Sequence, residues 1–260
     1  MSFNTRYLFA LTTLLALAAN ACSGSTPRIA RASAAPVQCA GGVIQSADDA
    51  ARYAGCTAVA GNLAIANSNL EDLTALESLR NVSGTLVVSN NANLSDFTGL
   101  EQLTAVGSLE VIGNPALSNF TGLSALRRAK AVKIQKNPEL FNLRGLEGLE
   151  QVEKLEIVGN GLSETAGLTH LAQVGELTIA NNPKLISLRG LNGLTRAGSV
   201  RIRNNQVLCA QLGLLPQLGE VSEALVLSSN RSVSKREVEG LLERVKVSFP
   251  PATDRQAALR

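Results

Sequence analysis

The chain repeats itself with a nearly constant period. An apolar-x-apolar pair recurs at Leu63/Ile65, Leu86/Val88, Leu109/Val111, Val132/Ile134, Leu155/Ile157, Leu177/Ile179, Val200/Ile202 and Leu225/Leu227, at spacings of 23, 23, 23, 23, 22, 23 and 25. Five places after the first apolar residue stand Asn91, Asn114, Asn137, Asn160, Asn182, Asn205 and Asn230, with Ser68 in the first unit. A Gly-Leu pair then recurs in five units, from Gly99-Leu100 to Gly190-Leu191, each followed three residues later by leucine. Such a period marks a stacked architecture, because one short unit cannot bury its apolar side alone.

Each column has a physical task. The apolar-x-apolar pair reads as a short strand with alternate side chains turned inward, and the Val or Ile at seven of the eight second positions suits it. Asparagine just after the strand suits a turn with left-handed backbone angles, and stacked asparagines can form a ladder. The recurrent glycine allows a tight or left-handed corner. The predicted fold is a β-solenoid over 61–230, about eight coils of about 23 residues each. Composition agrees. The chain is 45% apolar but only 3% aromatic and has no Trp, so its core consists of small Leu, Ile, Val and Ala layers. The formal charge of +3 argues against nucleic acid or an anionic membrane face as a partner.

The N-terminus reads as an address. Arg6 precedes an apolar run over 7–19, which fits a removable signal and is short for a membrane span. Ala19-Asn20-Ala21-Cys22 resembles the bacterial lipoprotein box, in which the cysteine takes a lipid after cleavage; the alternative is ordinary cleavage nearby with Cys22 incidental. Residues 1–21 are then the signal peptide and 22–38 a flexible tether rich in Ser, Ala and Pro. Ser23 is not Asp, which points to the outer membrane, with membrane contact through the lipid only.

Both ends of the solenoid carry cap signals. In the N-terminal cap, 39–60, Ser46 opens a helix, Asp48 and Asp49 suit its positive end, and Gly55 stops it. In the C-terminal cap, 231–249, Ser234 and Glu237 form a capping box, and Val238, Leu241, Leu242 and Val245 make one apolar face ended by Pro250-Pro251. Residues 250–260 read as a tail. Cys39 and Cys56 bracket the first cap. A bridge there would close a short loop, worth about 3 kcal/mol in the chain-entropy model. Pairing Cys56 with Cys209 would have to span six coils, about 29 Å at strand spacing, beyond any disulfide. Cys209 is then the odd thiol, read as a small buried residue, with an exposed reactive thiol as the alternative.

The stretch Cys56-Thr-Ala-Val-Ala-Gly-Asn-Leu-Ala-Ile65, the Asn-rich turns and segments such as Leu143-Arg-Gly-Leu-Glu-Gly-Leu149 resemble the receptor L domain over about residues 39–230. The family provides ligand-binding ectodomains of the insulin and epidermal growth factor receptors and occurs in bacterial surface lipoproteins. The resemblance implies a right-handed parallel β-helix related to leucine-rich repeats. It also implies a cystine just before the first strand, which maps onto Cys39 and Cys56. It carries over binding but not receptor signalling, for which kinase, transmembrane helix and cysteine-rich region are lacking in this sequence.

Chemistry is sparse. His170 occupies a variable outer column and reads as solvated. Asp72 and Asp96 read as surface turn residues, not a catalytic pair. No cluster has metal-ligand spacing and no nucleophile has a base, so neither enzymatic activity nor a cofactor or metal is expected. Glycosylation triplets at Asn81, Asn93, Asn119 and Asn230 read as by-products of Asn- and Ser-rich turns. The outward strand positions are more informative. Glu110, Lys133 and Glu156 become neighbours of alternating sign in register. One reading is a solvated face with cross-strand ion pairs. The other is a recognition face of Val87, Glu110, Ile112, Lys133, Glu156, Val158, Arg201 and Arg203. The absence of aromatics from these columns favours a protein ligand over a glycan. The predicted function is a lipid-anchored, non-enzymatic envelope or surface protein that binds a protein partner; the alternative is a structural or assembly component of the envelope.

Overall fold

Alternate side chains along each apolar segment are buried and open, and this period of two lays the segments down as strands. The computed structural model describes residues 35–209 and 214–247. The strands are β1 (Gln38–Ile44), β2 (Ala58–Ala66), β3 (Asn81–Ser89), β4 (Ala105–Ile112), β5 (Arg128–Gln135), β6 (Gln151–Val158), β7 (Gln173–Ala180), β8 (Arg196–Arg203), β9 (Glu220–Ser228) and β10 (Lys246–Val247). They form one sheet in chain order, every neighbouring pair parallel. Equivalent positions stand side by side: Leu63, Leu86, Leu109, Val132 and Leu155 pair in one row. The chain is a parallel β-solenoid, as the repeat predicts. The expected signal peptide over 1–21, Cys22 and the expected 250–260 tail lie outside the described residues.

The asparagine column is the polar spine. Asn91, Asn114, Asn137, Asn160, Asn182 and Asn205 are all buried. Each amide oxygen accepts the backbone N–H of the equivalent residue one coil back, as Asn137 Oδ1 does from Asn114 N at 3.0 Å. Each amide nitrogen donates to a strand carbonyl of the preceding coil, as Asn137 Nδ2 does to Val111 O at 3.1 Å. The left-handed backbone falls one place earlier than the sequence suggests. Asn67, Asn90, Gly113, Lys136, Gly159, Asn181, Asn204 and Ser229 have φ between 54° and 69°. The turn thus divides two tasks between neighbours, one bending the chain and the next satisfying buried backbone groups.

The recurrent glycine turns a left-handed corner at Gly99, Gly122, Gly145 and Gly167, whereas Gly190 lies in a short 3-10 turn. Gly145 has φ +107°, and a Cβ there would run into the Phe120 carbonyl oxygen of the coil before. The single shorter spacing in the repeat also has a local cause. Leu162 follows Asn160 by two places instead of three and is still fully buried. Gly161 permits this shorter turn, since a Cβ would collide with the Pro138 carbonyl oxygen. Inside, leucines fill the coils, and Phe97 and Phe120 stack with centroids 5.2 Å apart.

The ends differ in part from expectation. β1 adds a rung ahead of the first predicted coil: Ile44 pairs with Ile65 and is fully buried, so this stretch belongs to the sheet. Helix α1 (Ala47–Ala51) follows, capped by Ser46, whose hydroxyl accepts from Asp49 N at 3.2 Å. Helix α2 (Lys235–Arg244) carries the expected capping box but stops before Pro250. Lys246 N–H donates to Gly219 O at 2.9 Å and returns the chain to the ladder as β10. Of the predicted apolar face, Leu241 and Val245 are buried, whereas Leu242 is 39% exposed because α2 presents only a narrow stripe to the core.

Candidate functional site: the outward sheet face

Between the inward pairs, each strand turns two residues outward, and register gathers them into two files. The first runs Val87, Glu110, Lys133, Glu156, Thr178, Arg201, Val226. The second runs Ser89, Ile112, Gln135, Val158, Ala180, Arg203, Ser228. All eight residues singled out from sequence therefore lie on one face. Arg203 is exposed and the other seven are half-buried, because neighbouring side chains at strand spacing shield one another.

The expected ion-pair file does not form there. No pair closer than 4.0 Å joins Lys133 to Glu110 or Glu156 among the described residues. The Glu156 carboxylate instead accepts from Gln135 Nε2 at 2.5 Å. Cross-strand pairs form nearer the strand starts: Lys130–Glu153 at 3.6 Å, Lys154–Glu176 at 3.5 Å and Arg196–Glu220 at 3.5 Å. Arg201 has no carboxylate partner among the described residues; its Nη1 donates to Ser199 Oγ at 2.7 Å.

A cleft of about 770 Å³ lies beside this face and was not foreseen from sequence. Arg128, Gln151, Gln173 and Arg196 line it, together with Gly107, Gly175 and Gly198. Its sequence signal is the inward spacing, which opens from two to three near the strand starts, as at Val106, Leu109 and Val111, all buried. Its charged groups include the Lys130–Glu153 and Arg196–Glu220 pairs, already neutralised.

The remaining polar candidates act locally. Asp72 Oδ1 accepts from Thr74 Oγ1 at 2.6 Å and Thr74 N at 2.9 Å, and these bonds hold its carboxyl below the usual aspartate range. Asp96 makes the same turn with Thr98 N at 2.9 Å. His170 is exposed, and its Nδ1 lies 2.8 Å from the Glu147 carbonyl one coil back, so that nitrogen carries the proton. Among the described residues no group of three His, Cys, Asp or Glu is placed to hold a metal ion.

Cys39 and Cys56 form a disulfide with Cα atoms 6.0 Å apart, tying β1 to the start of the first repeat. Such a bond belongs to an oxidising compartment. Cys209 is free and half-buried, more open than the buried position expected of it. No described helix is long and apolar enough to cross a membrane.

Comparison with known proteins agrees with this geometry. Residues 55–158 match the model of the family described as Receptor L domain. Neither the curated proteins nor the solved structures compared with the chain give a match. The matched segment contains β2 to β6, narrower than the resemblance read from sequence, and β7 to β9 continue the parallel ladder, with one register shift between Ala197 and Ser199 where β8 meets β9. Residues 55–158 of this chain are therefore similar to the receptor L domain family, within a longer solenoid built on the same repeat.

Proposed function

We propose that the chain is a lipid-anchored, non-enzymatic protein of the cell envelope that binds a protein ligand on the outward face of β3 to β8. The observation that carries this reading is the register. It assembles Val87, Ile112 and Val158 with Lys133, Arg201 and Arg203 into one uninterrupted surface on a rigid sheet. Small apolar groups with charges between them suit a protein surface, and the absence of aromatics disfavours stacking on sugars. A receptor-type, ligand-binding family and an oxidising compartment support an exported binding module. The lipoprotein-like Ala19-Asn20-Ala21-Cys22 supports an anchor at Cys22 and an outer-membrane destination.

The test is affinity capture from detergent-solubilised envelope. Wild type should retain a discrete protein that Ile112→Lys plus Val158→Lys loses. An identical partner set for both would overturn the face, and no partner for either would favour a purely structural role. Metabolic labelling with a fatty acid should tag wild type and spare Cys22→Ala; equal labelling of both would remove the anchor.

A further inference from the structure

The C-terminal third of the face is charged without compensation. Arg201 and Arg203 alternate on β8 with the inward Val200 and Ile202, so their guanidinium groups leave the same side of the strand, one pleat apart. Their cross-strand neighbours are Thr178 and Ala180 on β7 and Val226 and Ser228 on β9, all neutral. On the same strand, Arg196 has its own carboxylate, Glu220. Neither Arg201 nor Arg203 has an ion-pair partner within 4.0 Å among the described residues. Arg201 is held ready. Its Nη1 donates to Ser199 Oγ, a hydroxyl on a fully buried residue, leaving four of its donors unused by that bond.

We infer that the face's ligand is a protein segment bearing carboxylates, which seats them on Arg201 and Arg203 while its apolar side chains lie against the half-buried Val158 and Val226. This rests on the binding-face reading above and adds the chemistry of the partner. Guanidinium forks match carboxylates in paired hydrogen bonds, and a rigid strand reduces the ordering cost of forming them. A bare anion would use the arginines and leave the apolar floor empty. An alternating acidic and apolar segment uses both, which decides for a protein source.

The experiment uses the full-length chain in detergent micelles and a fluorescent peptide of alternating Glu and Val, compared with its Gln-Val counterpart by anisotropy. The acidic peptide should bind at least about tenfold more tightly. Arg201→Gln plus Arg203→Gln should remove that difference, as Arg203→Gln alone, at the exposed position, should in part. Arg128→Gln plus Arg189→Gln should leave it intact. Equal binding of the two peptides, no binding of either, or undiminished binding by the β8 double variant would overturn the inference. So would full competition by inorganic tripolyphosphate, or self-association that the double variant abolishes. Each of these outcomes leaves the capture result with Ile112→Lys plus Val158→Lys standing, so failure of the partner chemistry is distinguishable from failure of the face.

Discussion

Thr165 stands where successive coils place Phe97, Phe120, Leu143 and Leu188, in the apolar interior. It is fully buried, and its Oγ1 has no hydrogen-bond partner among the described residues. A hydroxyl in that position has lost water without compensation. Thr165→Val keeps the β-branched shape and removes the orphan, so it should raise stability by about 1 kcal/mol, read from the urea midpoint. A lower midpoint would mean that the hydroxyl is satisfied in solution. The asparagine spine is the opposite case, since each amide there meets a backbone group that would otherwise be orphaned. Both were present in the repeat columns as letters. That asparagine is favourable and Thr165 costly depends on partners the columns do not display.

Helix α2 shows what an element owes to its end. Ser234 N–H donates to Glu237 Oε2 at 2.6 Å, and Glu237 N–H donates to Ser234 Oγ at 3.3 Å. The Ser234 backbone bond, followed by the Ser234 side chain, holds the Glu237 carboxyl below the ordinary glutamate range. A depressed folded-state value means that the stabilisation is present at neutral pH and is lost as pH falls through the acid range, below about 4.3. Hydrogen exchange in α2 should therefore show weaker protection as pH falls from about 6 to 3. Glu237→Gln should have the weaker protection already at pH 6 and little further change. An identical pH response in both would remove the capping-box account. The box was legible from Ser234 and Glu237 because capping is local. The helix end was not, because it depends on Lys246 reaching Gly219, a contact distant in sequence.

Across the whole solenoid each coil touches chiefly its neighbours, so stability is a chain of interfaces and the ends are its weak points. The Cys39–Cys56 bond secures the first of them. Replacing both cysteines with alanine should cost about 3 kcal/mol in the chain-entropy picture. The loss should fall on β1 amides while β6 amides keep their exchange protection. A uniform loss from β1 to β9 would show that the solenoid opens as one unit. From its sequence alone, the chain settles the period, the strands, the inward files and the residues that share a face. A repeat that returns equivalent side chains at a constant interval has one economical way to bury them, and local turn chemistry enforces it. Tertiary structure alone decided that β1 and β10 join the sheet and that Gln135, not Lys133, holds Glu156. It alone decided that a cleft lies beside the face and that Arg201 and Arg203 keep neutral neighbours. Register places residues in files, but which atoms then bond depends on side-chain reach and competing partners, and these exist only once the coils are stacked.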